Sequence, residues 1–421
     1  MKLNKLHTIV GNAKTSSESL LGLTGSQRKL VLMKLAEKIN SAKNEIMKAN
    51  IKDVNAAIKE GKNKSFIERL TLNEDVIRSM TDSLKEIARA KDALFEVMEE
   101  KKRPSGIEIK KVRFPLGLLA IIFESRPNVT VDAFALAFKS GNAVILKGGK
   151  EIAETNHVLV GIIKGVLRKF KIKDDIIQNI SGLEKKLTLA LLRDKRIDCL
   201  IPRGGKGLID FVKNNARIPI IETGASVVHT YVDKSADLKM ARDVVANAKI
   251  RRVSICNALD VLIIHKDISL KFLKNISNSL IQNKVELRVD EKSYAFLRKL
   301  KYPNLKKAST SDFDTEFLNY ILAVKTVNNF KDALEHVKKH GLGHSEAIIT
   351  KNKKQAKQFF QEIDAACLYL NTSTQFSDGG EFGKAGEIGI STQKLHARGP
   401  FSFQELTTYK YLISSKGSVR A

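Results

Sequence analysis

The run from Leu116 to Phe170, LGLLAIIFESRPNVTVDAFALAFKSGNAVILKGGKEIAETNHVLVGIIKGVLRKF, leaves few folds open. Leu118 to Phe123 is a short, unbroken apolar stretch, which reads as a buried strand. A polar turn, a helix, a second strand from Ala143 to Leu146, a glycine turn and another helix follow it. DCLIPRGGKGLIDFVKNNARIPIIET repeats the order: strand, glycine turn, helix, strand ending at Glu222. Strands that alternate with helices predict a parallel sheet covered on both faces. The alternation resumes beyond Cys256 with LDVLIIH, the helical LKFLKNISNSLIQ and a segment ending in FLNYILAVKTV. The fold class is therefore α/β. Ahead of this region, Gly25 to about Glu60 repeats apolar residues every three to four positions, and NEDVIRSMTDSLKEIARA is a further helix. SGIEIKKVRFPLG reads as extended chain, SDGGEFGKAGEIGIST as a loop, and the tail ELTTYKYLISS as β-prone.

With 421 residues, 43% of them hydrophobic, the chain has material for two or three domains, because single cores stop growing near ~250–300 residues. No apolar run reaches the roughly 18 residues of a membrane span, and MKLNKLHTIVGNAKTSS lacks the apolar centre of a signal peptide. Three cysteines make no disulfide framework, so a reducing cytosol is the expected setting. The net charge of +27 comes from lysines scattered along the whole chain. No zinc-finger spacing, aromatic RNA-binding signature or helix-turn-helix accompanies them. The charge is read as compositional, with attraction of an anionic substrate or an acidic partner as the second reading and nucleic acid disfavoured.

Four features can carry chemistry. In IPRGGKGLID a strand enters Arg203-Gly204-Gly205-Lys206-Gly207 and a helix leaves. Such a turn lets backbone approach a phosphate and offers it the unpaired N–H groups of a helix start, although a tight structural turn looks the same. In VILKGGKE, Lys147 ends a strand ahead of a second glycine turn. Cys199 and Cys367 sit inside apolar runs and read as small buried hydrophobes. Cys256, in AKIRRVSICNALD, follows Arg251 and Arg252 and is flanked by Ser254 and Asn257. Nearby cations favour a thiolate, so nucleophile and packing residue both stand on sequence alone. Glu222 falls where open α/β sheets place ligands, 34 residues before Cys256.

Several runs together resemble the γ-glutamyl phosphate reductases (glutamate-5-semialdehyde dehydrogenases), a branch of the aldehyde dehydrogenase superfamily. They include FPLGLLAIIFESRPNVTVDAFALAFKSGNAVILKGGKE, DCLIPRGGKGLI, PIIETG, SICNALD, TEFLNYILAVK, GHSEAIIT, DGGEFGKAGEIGISTQKLHARGP and LTTYKY, spread from Phe114 to Tyr411. The resemblance implies an aldehyde-dehydrogenase-like fold with a Rossmann-like cofactor domain, an α/β catalytic domain and a small β oligomerisation extension. The boundaries expected are 1–103 with 117–224, 225–399, and 104–116 with 400–421. It implies Cys256 as catalytic thiol, Glu222 as the superfamily glutamate, Lys147 at the adenosine ribose, and Arg203, Gly204 and Gly205 on the dinucleotide turn. Glu316 would hold the nicotinamide ribose. Lys150 stands where NAD-preferring relatives often carry an acid, which suits the 2′-phosphate of NADP. Two departures lie near the expected site. IETGASVVH keeps only His229 of the branch's usual patch, and Val253 replaces its usual proline.

The activity implied is NADPH-dependent reduction of L-glutamyl 5-phosphate to L-glutamate 5-semialdehyde through a cysteine thioester, the second step of proline biosynthesis from glutamate. The backbone N–H of Cys256 and the Asn128 side chain would face the oxyanion. Arg126, Arg252, His396 and Arg398 would meet the substrate's phosphate and carboxylate. A homo-oligomer is expected, and the lability of an acyl phosphate would favour association with glutamate 5-kinase. Two alternatives are kept: a superfamily enzyme acting on another aldehyde or acyl phosphate, and a catalytically weakened homologue that only binds.

Overall fold

The computed structural model of the protein describes residues 3–180 and 185–420. The chain divides into two compact units. One comprises Met1–Thr223, Gly383–Gly389 and Phe401–Ala421, the other Gly224–Phe382 and Ile390–Pro400.

The first unit holds a four-stranded parallel sheet in the order Ile177–Asn179, Ala143–Lys147, Leu118–Phe123, Cys199–Arg203. In chain order these are the third, second, first and fourth strands, so the winding reverses between Leu118–Phe123 and Cys199–Arg203. A crevice for a ligand opens at the carboxyl ends of the strands at such a reversal. All six residues of Leu118–Phe123 are buried, as expected where both sheet faces are covered. The helix Asn128–Lys139 leads from the first strand to the second and ends in a tight reversal. Gly141, at φ +73°, donates its N–H to the Phe138 carbonyl, and Asn142 donates to that of Ala137. A side chain on Gly141 would also stand 2.6 Å from Leu94 Cδ1. Asn142 then ties three parts of the unit together. Its Oδ1 accepts the N–H of Gly117 at 2.7 Å, and its Nδ2 donates to the Leu406 carbonyl of the tail at 2.8 Å.

A separate antiparallel sheet joins Val97–Lys102, Glu108–Pro115 and Thr407–Ser414. It takes in Val97–Lys102, which lies ahead of the start at residue 104 read from the sequence. Thr407–Ser414 is an edge strand, and Tyr409, Tyr411, Leu412 and Ile413 on it are exposed.

One expected strand does not form. The segment ending at Glu222 makes a single parallel bridge, Ile220 to Leu200, rather than a strand of the sheet. It follows the edge through Leu200 N–H to Pro219 carbonyl and Ile221 N–H to Leu200 carbonyl, both 2.9 Å. Pro219 has no N–H to extend the ladder.

The second unit is built on a seven-stranded, wholly parallel sheet. Its order is Leu305–Lys307, Glu286–Val289, Ile321–Val327, Val261–His265, His229–Val232, Ser345–Ile349, Cys367–Leu370. One core packs Val232, Leu262, Ile264 and Val324 against Val245, Phe272 and Ile276. The other packs Tyr231, Ile263, Ala323 and Ile348 against Leu334, Val337 and Phe359. Successive residues of one strand feed opposite cores, as the period of two requires.

Candidate active site

In the first unit, the expected cofactor residues gather at the carboxyl ends of the sheet. Lys147 closes its strand, and burial pushes its ammonium below the usual lysine range, with Glu151 opposing that shift. Glu151 accepts from Ser125 Oγ at 3.1 Å and from Lys62 Nζ at 3.4 Å. Lys150 is exposed and donates to Glu60 at 2.8 Å, so that end of the sheet carries three lysines around two carboxylates. Arg203 ends the fourth strand and Gly205 caps the helix Lys206–Asn215. A Cβ on Gly204 would lie 2.7 Å from Glu124 Cδ and 2.8 Å from Leu208 Cδ2, whereas at Gly205 nothing approaches within 3.8 Å. A side chain at Gly204 would displace those of Glu124 and Leu208, and Gly205 leaves bare backbone at a helix start. This open turn, beside lysines at the point where the winding reverses, fits the pyrophosphate and ribose of a nicotinamide dinucleotide.

Three other expected residues of this unit are engaged by neighbours. Glu222 pairs with Lys213 Nζ at 2.8 Å. Asn128 begins its helix, and its Nδ2 lies 3.5 Å from Asp132, whose carboxyl burial pushes up to about 6. Arg126 is exposed, and its backbone N–H donates to the Glu124 carbonyl.

In the second unit Cys256 occupies the turn between the helix Leu238–Ile250 and the strand Val261–His265. Alone among the three cysteines it is only partly buried, while burial pushes the Cys199 thiol up to about 12. The turn is pinned on both sides of the sulfur. Asn257 Nδ2 donates to the Ser377 carbonyl at 3.1 Å and to its hydroxyl at 3.2 Å, and the Asn257 carbonyl accepts from Thr374 Oγ1 at 2.7 Å. Gln375 Nε2 donates to the Ala248 carbonyl, and Lys249 Nζ to that of Leu259, each at 2.8 Å. Arg251 reaches Gln375 at 3.3 Å, and Arg252 is exposed without an ion pair among the described residues. Glu316 accepts from Ser226 Oγ at 2.9 Å, and burial raises its carboxyl. Arg398 pairs with Asp364, which also holds Lys394, and His396 is exposed.

Sequence reasoning missed Lys249, Asp260 and the polar chain behind Asn257. Lys249 carried a legible signal: it occupies an apolar position in the repeat Ala241, Val245, Ala248 of its helix and is fully buried. The polar chain runs from Ser377 to Ser345 Oγ at 3.2 Å and on to His344 Nδ1 at 3.0 Å. His344 is fully buried, and burial lowers its imidazole to about 4. Unfolding frees it to titrate near 6.5, so the unfolded chain binds the proton first and stability falls as pH drops from about 6.5 toward 4. Between pH 7 and pH 5 this one group removes about 2 kcal/mol. Urea midpoints at the two pH values should therefore differ less in His344→Gln than in the parent. Equal differences would mean that His344 is not held neutral.

A dinucleotide-type sheet in one unit and a partly buried cysteine in a pinned turn of another suit an aldehyde dehydrogenase, and residues 2–294 and 307–411 match the aldehyde dehydrogenase family. The γ-glutamyl phosphate reductase of Halothermothrix orenii is 44% identical over 97% of both chains, and that of Agathobacter rectalis is 43% identical over 99% of this chain and 100% of its own. The crystal structure of γ-glutamyl phosphate reductase from Thermotoga maritima superposes with a TM-score of 0.95 at 40% identity, covering 99% of this chain and 100% of that one. The chain belongs to the γ-glutamyl phosphate reductase branch of the aldehyde dehydrogenase family. It is an oxidoreductase of a family that works with NAD(P). Among the described residues, no helix is long and apolar enough to cross a membrane.

Proposed function

We propose that this protein reduces L-glutamyl 5-phosphate to L-glutamate 5-semialdehyde and phosphate, with NADPH as the reductant, in the second step of proline biosynthesis from glutamate. The observation that carries the reading is Cys256, partly open in a turn that four side chains hold still. Its thiolate attacks the acyl carbon and phosphate leaves, giving a thioester that splits one hard step into two. When bound, the nicotinamide supplies the hydride that reduces this thioester. The Cys256 backbone N–H, with Asn128 as second donor, faces the oxyanion as charge develops there. Glu222 takes the thiol proton once it releases Lys213. Arg126, Arg252, His396 and Arg398 meet the phosphate and carboxylate of the substrate. Of these, Arg398 must exchange Asp364 for substrate.

Lys147, Arg203, Gly204 and Gly205 hold the dinucleotide, Glu316 its nicotinamide ribose, and Lys150 the 2′-phosphate. Glu151 supports the opposite choice of cofactor, because a carboxylate at this strand end also suits free ribose hydroxyls. The edge strand Thr407–Ser414, eight residues long with an apolar exposed face, pairs with a second copy to make a homo-oligomer. A reducing cytosol keeps the three thiols free, and glutamate 5-kinase is the natural donor of so labile a substrate.

The reverse reaction tests the proposal. Purified protein mixed with phosphate, pyrroline carboxylate and NADP should produce reduced cofactor, at a rate at least about tenfold above that with NAD, the weight of one charged contact. No turnover on pyrroline carboxylate would refute the substrate, and equal rates with the two cofactors would refute the role of Lys150.

A further inference from the structure

Asp260 stands four residues beyond Cys256 and is 2% exposed. One carboxylate oxygen accepts the N–H of Phe317 at 3.0 Å, and the other accepts that of Val228 at 3.2 Å. These two segments converge again on another carboxylate. Phe317 directly follows Glu316, and Val228 lies two residues past Ser226, whose hydroxyl donates to Glu316 at 2.9 Å. Glu316 and its donor are therefore both tethered to the chain that carries the nucleophile. Lys249 supplies the opposite charge from within the same core. Its Nζ donates to the carbonyl of Leu259, the neighbour of Asp260, and lies 6.0 Å from the Phe317 ring centre. The Arg288 guanidinium lies 5.2 Å from that ring.

A buried carboxylate with a buried ammonium is a poor device for stability, because apolar residues of the same volume usually serve better. It is a good device for direction, since two lone-pair sets on one rigid group fix two N–H groups at once. We propose that Asp260 is a positioning residue: by holding Phe317 and Val228 in one register, it sets the Glu316 carboxylate for the nicotinamide ribose. The inference rests on the reading of Glu316 given above and adds the residue that aims it.

The test is NADPH binding to the full-length protein, followed by the fluorescence of the reduced nicotinamide, alongside the rate at which iodoacetamide alkylates Cys256. Asp260→Asn should weaken NADPH by about tenfold or more, the loss that follows when a charged acceptor becomes an amide facing an N–H. Alkylation should stay within about twofold, because Asn257 and Gln375 still pin the turn. A merely structural role would move both readouts together or neither, and either result overturns the proposal. Should Asp260→Asn fail to fold, Lys249→Met with Asp260→Asn removes both buried charges, and the same loss of NADPH affinity is expected of it. Unchanged affinity in that double variant also overturns the proposal. Glu316→Gln separates the two levels. If it weakens NADPH while Asp260→Asn does not, only the positioning role falls. If it leaves NADPH unchanged, the ribose reading falls and the proposal with it.

Discussion

Cys256→Ser should give a folded protein whose turnover is lower by on the order of 10⁴-fold or more, the scale seen when a covalent nucleophile is removed. The change replaces sulfur by oxygen at a partly buried position in a turn held by Asn257 and Gln375. Packing is nearly preserved, so the apparent melting temperature should shift little. The hydroxyl, however, stays protonated at neutral pH and attacks an acyl phosphate poorly. The reverse assay with pyrroline carboxylate, NADP and phosphate reads turnover, and a thermal scan reads folding. Turnover near that of the parent would remove Cys256 from the chemistry. A collapse of folding would make it a packing residue after all.

Glu346→Ala should destabilise the second unit by about 3–5 kcal/mol, the cost of breaking a buried pair by removing one partner. Glu346 is 1% exposed and His229 fully buried. The Glu346 Oε2 accepts both the backbone N–H of His229 and its ring Nδ1, each at 3.0 Å. Burial raises the Glu346 carboxyl, and His229 opposes that shift. Alanine would leave two buried donors unsatisfied and open space beside Gly341, where an added Cβ would lie 2.6 Å from Glu346 Oε1. Glu346→Gln keeps an acceptor and should lose less. Urea unfolding of both variants provides the measurement, and a loss under about 1 kcal/mol for alanine would show that the pair is not load-sharing. His229 is held inside the sheet, where it stands opposite Glu346 in the register of neighbouring strands.

Much of this was legible in the residues. The strands Leu118–Phe123 and Ala143–Lys147 stand where their apolar runs are, because both faces of a parallel sheet must be covered and the pattern cannot be diluted. Cys256 differed from Cys199 and Cys367 in the polarity of its neighbours, and it is the one the fold leaves partly open. The strand expected before Glu222 failed because one proline breaks a ladder that the apolar pattern alone cannot distinguish from a continuous one.

Local pattern, set by side-chain periodicity and glycine turns, determined the α/β class and the order of the elements, and it singled out the thiol, glycines and lysines to which the proposed chemistry is assigned. Partnership was decided only in three dimensions. That Glu222 meets Lys213, that Lys150 meets Glu60, and that Asp260 grips Val228 and Phe317 from 32 and 57 residues away depends on how helices, turns and strands pack together. A linear sequence carries the charge of each group, but burial and tertiary packing choose its counterpart, and the counterpart determines what each group can do.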